Sequence, residues 1–284
     1  MHPRALSMEE RQAVLAILHS ERFVDAAPAT VWATLLDEGT CVASIRTMYR
    51  ILGENGEVRE RRAQATHPTR KPPQLLAEAP RDVWTWDITH LRTTVKGRTL
   101  KLYVCIDLYS RYVVGWYLSA TESSAEASHL FGTLAKRERI GRDRLVLHAD
   151  NGGPMRGQPL ADLLETLAIG RSHSRPRTSN DNAHSESQFK TMKYRPDYPR
   201  QFDSEEGARP YCQNFFDWYN YDHRHAGIAL FTPDDIYTGK VDERLAKRAE
   251  TLALAYERTP NRFVKGLPIP KKPPTQVAIN PTPK

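Results

Sequence analysis

The first clear hydrophobic pattern lies in residues 83–90, where aromatic and β-branched residues predict a β-strand. Side chains alternate between the two faces of a strand, so Thr85, Asp87 and Thr89 are expected on one face. The pattern therefore predicts an acidic side chain in the middle of a strand, between two threonines on the same face.

The segments that follow alternate between the strand and helix periods. Residues 99–107 and 112–118 are β-rich and joined by a short polar turn, which predicts a hairpin. Helical spacing follows in residues 124–139, then a strand pattern in 144–150 and a second helical pattern in 160–168. Three strands followed by alternating helix and strand are typical of an α/β fold.

Helix patterns also open the chain, in residues 8–20, 29–38 and 44–52. Short helices with a tight turn before the last one predict a helix-turn-helix-like module over residues 1–55. The last helix would be the recognition helix, with Arg46 and Arg50 as DNA contacts. A small helical bundle that binds no DNA, or that binds protein, is the alternative.

The rest of the chain divides into three predicted parts. Residues 56–81 form a basic, proline-bearing linker that could follow a phosphate backbone. Residues 82–240 form the α/β core, and residues 241–284 form a C-terminal helix and a basic tail. From residue 259 the tail is rich in proline and contains no acid, so we expect it to be extended and largely without a core of its own.

Composition narrows the class of partner. The 284 residues include 41 Lys and Arg against 34 acids, a net charge of +7, which favours phosphate-rich partners. The three cysteines, Cys41, Cys105 and Cys212, are isolated, so neither a disulfide framework nor a cysteine zinc site is indicated. No apolar run is long enough for a membrane span. We expect a soluble, cytoplasmic protein that associates with the nucleoid.

Three acids stand where a metal-dependent phosphodiester site would need them. Asp87 lies within its strand, Asp150 ends the strand pattern of 144–150, and Glu186 follows a turn-rich stretch, with 35 residues between the last two. Carboxylates suit Mg²⁺, which prefers hard oxygen ligands, and two such ions can drive an in-line phosphoryl displacement. Taken singly, each acid could instead be a surface or capping residue.

Glu186 is predicted in a helix that runs to about Lys193, with Asp181 or Asn182 as the side-chain cap. Lys190 and Lys193 would share one side of that helix with Glu186 and could hold DNA phosphates beside the acids. The alternative is that both lysines are ordinary surface charges of the helix.

Further candidates lie on either side of this helix. Arg175 and Arg177, in the loop before it, are candidates for gripping DNA. Asp107 ends a strand before a turn, where Asp commonly bonds nearby backbone, so a structural role is expected. His223 and His225 have no cysteine nearby and make a weak metal site, so DNA contact or loop hydrogen bonding is favoured.

Long ordered motifs carry a family resemblance over nearly the whole chain. They resemble the D,D(35)E core of insertion-sequence transposases of the IS-three family, specifically the second-frame (OrfB) product. The motifs are His-Ala-Asp-Asn-Gly-Gly-Pro-Met-Arg-Gly at 148–157, the stretches 175–186, 189–196, 216–228 and 261–268, Thr-Pro at 232–233 and Ile-Asn-Pro at 279–281. One departure is His184, where the family resemblance leads us to expect an aromatic such as Tyr.

The resemblance implies an RNase H-like, retroviral-integrase-type core with a mixed sheet flanked by helices. It implies a DDE-type transposase in which Asp87, Asp150 and Glu186 bind two Mg²⁺ ions, for which Mn²⁺ can substitute. The reaction would be cleavage at element ends to expose a 3′-OH, followed by strand transfer.

The partners implied are the DNA of the element ends and of the target, further copies of the chain on DNA, and an upstream helix-turn-helix (OrfA) product. Two other functions remain open at this point. One is a helix-turn-helix regulator on an inactive core, and the other is an RNase H-like nuclease that does not join strands.

Overall fold

The computed structural model describes residues 6–58, 73–175 and 178–281. The chain divides into two compact units, Met1–Thr69 and Arg70–Lys284. Among the described residues, no helix is long and apolar enough to cross a membrane.

The first unit contains three helices, α1 (Met8–Leu18), α2 (Pro28–Asp37) and α3 (Ile45–Glu54). All three lie within two residues of their predicted bounds. Ser7 and Glu10 cap α1 reciprocally, each side chain accepting a hydrogen bond from the other residue's backbone N–H. Both α1 and α2 pack on α3, and their apolar faces form one small core.

The second unit is built on strands and helices in alternation. The strands are β1 (Leu75–Ala77), β2 (Val83–Arg92), β3 (Thr99–Asp107), β4 (Val113–Ser119), β5 (Val146–Ala149), β6 (Gly170–His173) and β7 (Val277–Ile279). The helices are α4 (Ser124–Arg137), α5 (Gly153–Arg156), α6 (Gln158–Thr166), α7 (Ala183–Lys193), α8 (Glu205–Tyr221), α9 (Pro233–Tyr237) and α10 (Val241–Arg258).

Five of these strands form one mixed sheet in the order β4-β3-β2-β5-β6. β2, β3 and β4 pair antiparallel, as the predicted hairpin requires, while β5 and β6 run parallel to β2. β2 is the central strand and is hydrogen-bonded on both edges. The predicted mixed sheet flanked by helices is confirmed.

The alternation along β2 and β3 separates two hydrophobic clusters, one on each face of the sheet. Trp84 and Trp86 of β2 lie fully buried in the cluster formed with α4 and α6. Leu91 of β2 and Val104 of β3 lie in the opposite cluster, which includes α7 and α8. Because Asp87 pairs with Val104 in register, it belongs to the face that α7 covers.

The tail returns to the core, which the sequence did not predict. β7 pairs antiparallel with β1, and Leu75 lies opposite Ile279. Val277 and Ile279 are buried against Val83 and Leu108. The last described part of the tail is therefore packed against the sheet rather than merely extended.

Candidate functional site

Asp87 and Asp150 lie at the same level of two adjacent parallel strands. Thr85 of β2 is in register with His148 of β5, and each acid follows two residues later in its own strand direction. Side chains two residues apart share a face, so both carboxylates project from the α7 side of the sheet. Asp87 accepts one hydrogen bond, from the backbone N–H of Ile88 at 2.8 Å.

The turn after β5 fixes the carboxylate of Asp150. The backbone N–H of Gly152 donates to Asp150 Oδ1 at 2.8 Å. A Cβ at position 152 would lie 3.0 Å from that oxygen and 2.9 Å from the Met155 sulfur. A larger residue at this position would therefore require the Met155 side chain or the Asp150 carboxylate to shift. His173 also braces the turn, because its Nδ1–H donates to the backbone carbonyl of Asp150 at 3.0 Å.

Glu186 is brought to these acids by the packing of α7 along β2. Ser185 Oγ donates to Thr85 Oγ1 at 3.4 Å, and eight residues later Lys193 Nζ donates to Thr89 Oγ1 at 2.6 Å. Eight helical residues and four strand residues both span about 12–13 Å, so the two elements run side by side. Glu186 therefore lies beside the stretch of β2 that carries Asp87.

The predicted helix from Glu186 to Lys193 is confirmed, but its predicted cap is wrong. α7 begins after Asn182, whose side chain makes no capping hydrogen bond. The Asn182 Nδ2 group donates instead to the carbonyl of Trp86 at 3.3 Å. Asp181 does not cap the helix either, because its carboxylate accepts hydrogen bonds from Arg175.

The pKa of Asp87 depends on its burial and on the acids around it. Burial is the largest cause that raises the pKa of Asp87, to about 7, and the negative charges of Asp150, Glu186 and Glu122 raise it further. The hydrogen bond from Ile88 acts in the opposite direction but does not cancel these effects. Asp150 and Glu186 therefore lie within electrostatic reach of Asp87.

The donor chemistry of these acids fits Mg²⁺, since all three are half-buried and offer hard oxygen atoms. Within the described ranges, no three His, Cys, Asp or Glu side chains are gathered tightly enough to enclose a metal ion. Mg²⁺ keeps several of its waters and is commonly held by one or two carboxylates, so an open arrangement is compatible with it.

The predicted DNA-contacting residues differ in their surroundings. Lys190 is exposed on α7, whereas Lys193 is half-buried and also donates to the carbonyl of His90 at 3.2 Å. Burial and the nearby charge of Arg92 lower the pKa of Lys193. Arg177 lies outside the described residues.

Arg175 is engaged within the protein. Its guanidinium forms two hydrogen bonds with the fully buried carboxylate of Asp181, at 3.0 and 3.1 Å, and its backbone N–H donates a third at 2.8 Å. This pairing holds the pKa of Asp181 at about 2. Sequence reasoning assigned Arg175 to DNA and did not identify this ion pair.

His148 also supports the loop before α7, and sequence reasoning did not identify this role. The imidazole is fully buried, and its Nε2–H donates to the carbonyl of Asp181 at 2.8 Å while Nδ1 accepts from the Ser172 hydroxyl. Burial lowers the pKa of His148, which favours the neutral form that this arrangement requires. Its only sequence signal is its place two residues before Asp150.

Three half-buried histidines, His184, His223 and His225, have lowered pKa values, which favours their neutral forms. Burial and the charge of Arg111 lower the pKa of His184 to about 4, so its ring is uncharged at neutral pH. His223 stacks on Tyr219, and His225 meets both rings edge to face. Burial lowers the pKa of His225 to about 3.

Asp107 has the predicted structural role, and that prediction is confirmed. Its Oδ1 accepts from the backbone and hydroxyl of Ser110, and its Oδ2 accepts from the backbone N–H of Arg81 at 2.7 Å. The carboxylate is fully buried and closes the turn between β3 and β4.

In the first unit, α3 has one buried and one exposed face. Met48, Ile51 and Leu52 are buried in the core, while Arg46 and Arg50 are exposed one turn apart. Ser44 caps the helix by accepting from the Thr47 N–H. Both arginines are therefore free to meet a partner on the outer side of α3.

Comparison with known proteins gives the family. Two models described as integrase core domain match residues 77–179 and 167–233 and together span more than half of the chain. A transposase for insertion sequence element IS904 of Lactococcus lactis is 29% identical over 56% of this chain and 62% of its own length. Transposase InsF for insertion sequence IS3A of Escherichia coli is 30% identical over 56% of this chain and 55% of its own.

The chain thus spans little more than half the length of the curated relatives it matches. Among solved structures, the catalytic core domain of BIV integrase has 19% identity and a TM-score of 0.43, over 58% of this chain and 98% of that one. A chain in the simian T-cell lymphotropic virus intasome structure with PP2A regulatory subunit B56 gamma has 18% identity and a TM-score of 0.47, over 74% of each chain.

The motifs of the sequence, the mixed sheet and the two matching models agree. The chain carries an integrase core domain and is homologous, through that domain, to the transposases of IS3-type insertion sequences.

Proposed function

We propose that this protein is a DDE-type transposase that cleaves DNA at insertion-sequence ends and joins the freed 3′ end to target DNA, where the 3′-OH attacks a phosphodiester and displaces the target's own 3′ oxygen. The observation that carries the proposal is the arrangement of three acids within an integrase core: Asp87 and Asp150 follow the same register position of two adjacent parallel strands, and Glu186 lies on the helix that packs along β2. The negative charges of Asp150 and Glu186 also raise the pKa of Asp87, as is common where acids share a functional site.

In this proposal the three carboxylates hold two Mg²⁺ ions, or Mn²⁺ in their place. When bound, such ions activate the attacking oxygen and stabilise the leaving oxygen of a phosphoryl transfer. Asp87 is held by the central strand and Asp150 by the turn after β5, while Glu186 is carried by α7. With a pKa of about 7, Asp87 exchanges a proton near neutral pH and is ionised readily when a cation approaches.

The proposed DNA contacts follow from charge and exposure. Lys190 lies free on the outer side of α7, and Lys193 lies beside Asp87, so both are suited to meet the strand that enters the site. Arg175 would reach DNA with the part of its side chain that remains exposed beside Asp181. Arg177 is proposed from sequence alone.

The amino-terminal helices are proposed to recognise element ends. Arg46 and Arg50 are exposed one turn apart on α3 and would contact the DNA. In this proposal residues 1–55 form the recognition module, residues 56–81 the linker, residues 82–240 the catalytic core and residues 241–284 the C-terminal part. Deleting residues 1–55 should reduce the preference for end DNA over random DNA more than it reduces chemistry on a short pre-nicked substrate. An unchanged preference would assign recognition elsewhere.

The decisive experiment incubates the protein with labelled end DNA and Mg²⁺ and resolves nicked from joined products. Both products are expected, because cleavage and strand transfer use the same three acids. Nicking without joining would favour a nuclease, and binding without either would favour a DNA-binding regulator. Repeating the reaction with an upstream-frame (OrfA) product tests whether that partner is required, and sizing the DNA complex tests for a homo-oligomer.

A further inference from the structure

The C-terminal segment is joined to the loop before Glu186 by one side chain, that of Asn280. Its Nδ2 group donates to Asp181 Oδ1 at 2.8 Å and to the carbonyl of Pro73 at 3.1 Å. The pairing of β7 with β1 delivers Asn280 to this point, since Ile279 lies opposite Leu75 at the end of the ladder.

Asp181 is a fully buried junction with a complete set of donors. Oδ2 accepts from the Arg175 backbone N–H and Nε, while Oδ1 accepts from Arg175 Nη2 and Asn280 Nδ2. The backbone carbonyl of Asp181 accepts from His148. Asn280 thus supplies one of the two hydrogen bonds to Oδ1, and its removal leaves a buried charged oxygen with less compensation.

The junction is directly connected to Glu186. A 3-10 turn, Ser179–Asn182, leads without interruption into α7, so only four residues separate the buried carboxylate from the proposed catalytic one. Because no side chain caps α7, the position of its first turn depends on the contacts of Asp181 and Asn182 with their surroundings.

We propose that Asn280 is a positioning residue, which fixes Asp181 and thereby sets the place of Glu186 relative to Asp87 and Asp150. The inference rests on the proposed function of these acids. Carboxylate sites require their ligands to within a fraction of an ångström, so a small displacement of α7 is expected to lower both metal affinity and turnover. The C-terminal segment 277–281 must then be docked before the site is competent.

The backbone at Asn280 determines which substitution is informative. Its φ is +50°, in the left-handed region that Gly and Asn adopt most readily. Asn280→Gly removes the amide without straining the turn, and Asn280→Asp keeps the shape but turns a donor toward Asp181 into an acceptor. Gln276→Ala is the matched control, because it removes an exposed amide from the same tail.

The first measurement is hydrogen exchange of the backbone amides of residues 187–190, whose hydrogen bonds close the first turns of α7. Asn280→Gly and Asn280→Asp are expected to accelerate their exchange by about 10-fold, and Gln276→Ala to leave it unchanged. This measurement needs neither metal nor DNA, so it tests the positioning role independently of activity. Failure of the wild-type protein to cleave DNA would overturn the proposed function but not the positioning role.

The second measurement separates positioning from general damage. For Asn280→Gly, Mn²⁺ affinity in the absence of DNA and kcat for end cleavage should each fall by about 10–100-fold, while KM for DNA is unchanged. A merely structural role would lower the melting temperature and leave the metal affinity of the folded protein intact. Wild-type exchange at residues 187–190, or wild-type Mn²⁺ affinity, in both Asn280 variants would overturn the proposal.

Discussion

Asp87 and Asp107 lie on neighbouring strands of one sheet, Asp87 half-buried and Asp107 fully buried, and their partners differ. Asp107 accepts hydrogen bonds from Arg81 and from the backbone and hydroxyl of Ser110, and every one of these donors is fixed by a turn. Asp87 accepts a single hydrogen bond, from its own neighbour Ile88, and faces other acids. Burial raises the pKa of both.

The difference teaches how burial of the same side chain leads to two roles. A carboxylate whose lone pairs are all used is part of the structure, because its loss would leave several donors unpaired. A carboxylate with free lone pairs beside further acids is held in an unfavourable state that a cation can relieve. Spare acceptor capacity, rather than burial, therefore distinguishes the proposed site residue.

The largest expected effect is the loss of chemistry. Asp87→Asn, Asp150→Asn and Glu186→Gln should each lower cleavage and joining by roughly 10³-fold or more while DNA binding persists, because each removes a charged metal ligand. Asp107→Asn is the control and should retain the reaction in the folded protein. Labelled-product assays on end DNA measure all four, and full activity in any of the first three would remove that residue from the site.

A smaller effect, of opposite sign in the two aspartates, is expected for stability. Asp107→Asn places an amide NH₂ against backbone N–H donors and should lower the free energy of unfolding by about 1–3 kcal/mol. Asp87→Asn can still accept the hydrogen bond of its one backbone donor, the Ile88 N–H, through the amide oxygen, and should stabilise the metal-free protein at pH 8. Denaturant titration of both variants checks this, and equal destabilisation would contradict the comparison.

The pH dependence follows from the raised pKa of Asp87. Between its unfolded value near 4 and its folded value of about 7, the folded state binds more protons, so wild-type stability falls as pH rises through this window. The advantage of Asp87→Asn should therefore grow from pH 4 to pH 7 and then level off.

Mg²⁺ at pH 8 should raise the melting temperature of the wild type more than that of Asp87→Asn, because binding to the native state relieves the repulsion among the acids. Melting curves with and without Mg²⁺ measure this. In the pH series, a difference in stability between the wild type and Asp87→Asn that stays constant with pH would count against the raised pKa of Asp87.

The smallest expected effect concerns the cation beside Asp87. If Lys193 contacts DNA phosphate, Lys193→Ala should weaken binding to end and random DNA alike and reduce the slope of log affinity against log salt by roughly one. Lys190→Ala tests the exposed lysine in the same way. An unaltered slope across a salt series would leave Lys193 as a packing residue that donates to Thr89 and His90.

Much of the core could be predicted because its signals are local. Alternation along 83–90 places Asp87 on the face that α7 covers, and helical spacing gives the bounds of α7. The role of Asp181 could not be predicted in this way, since a capping pattern says nothing about a competing guanidinium six residues earlier.

The structure of the C-terminal tail was harder to predict from the sequence than that of the core. A three-residue strand in a proline-rich segment has too little periodicity to be recognised, and its partner strand lies about two hundred residues away. The contact of Asn280 with Asp181 depends on that pairing, so no local pattern could indicate it.

The central place of β2 in the sheet has a consequence for heat inactivation. β2 is hydrogen-bonded to strands on both edges, so Asp87 rests on the part of the sheet that should open last. Glu186 belongs to a helix outside the sheet, joined to β2 by a few side-chain contacts. We therefore expect activity to disappear on warming while the sheet is still intact, so that the working temperature limit is set by α7 and not by the melting of the domain.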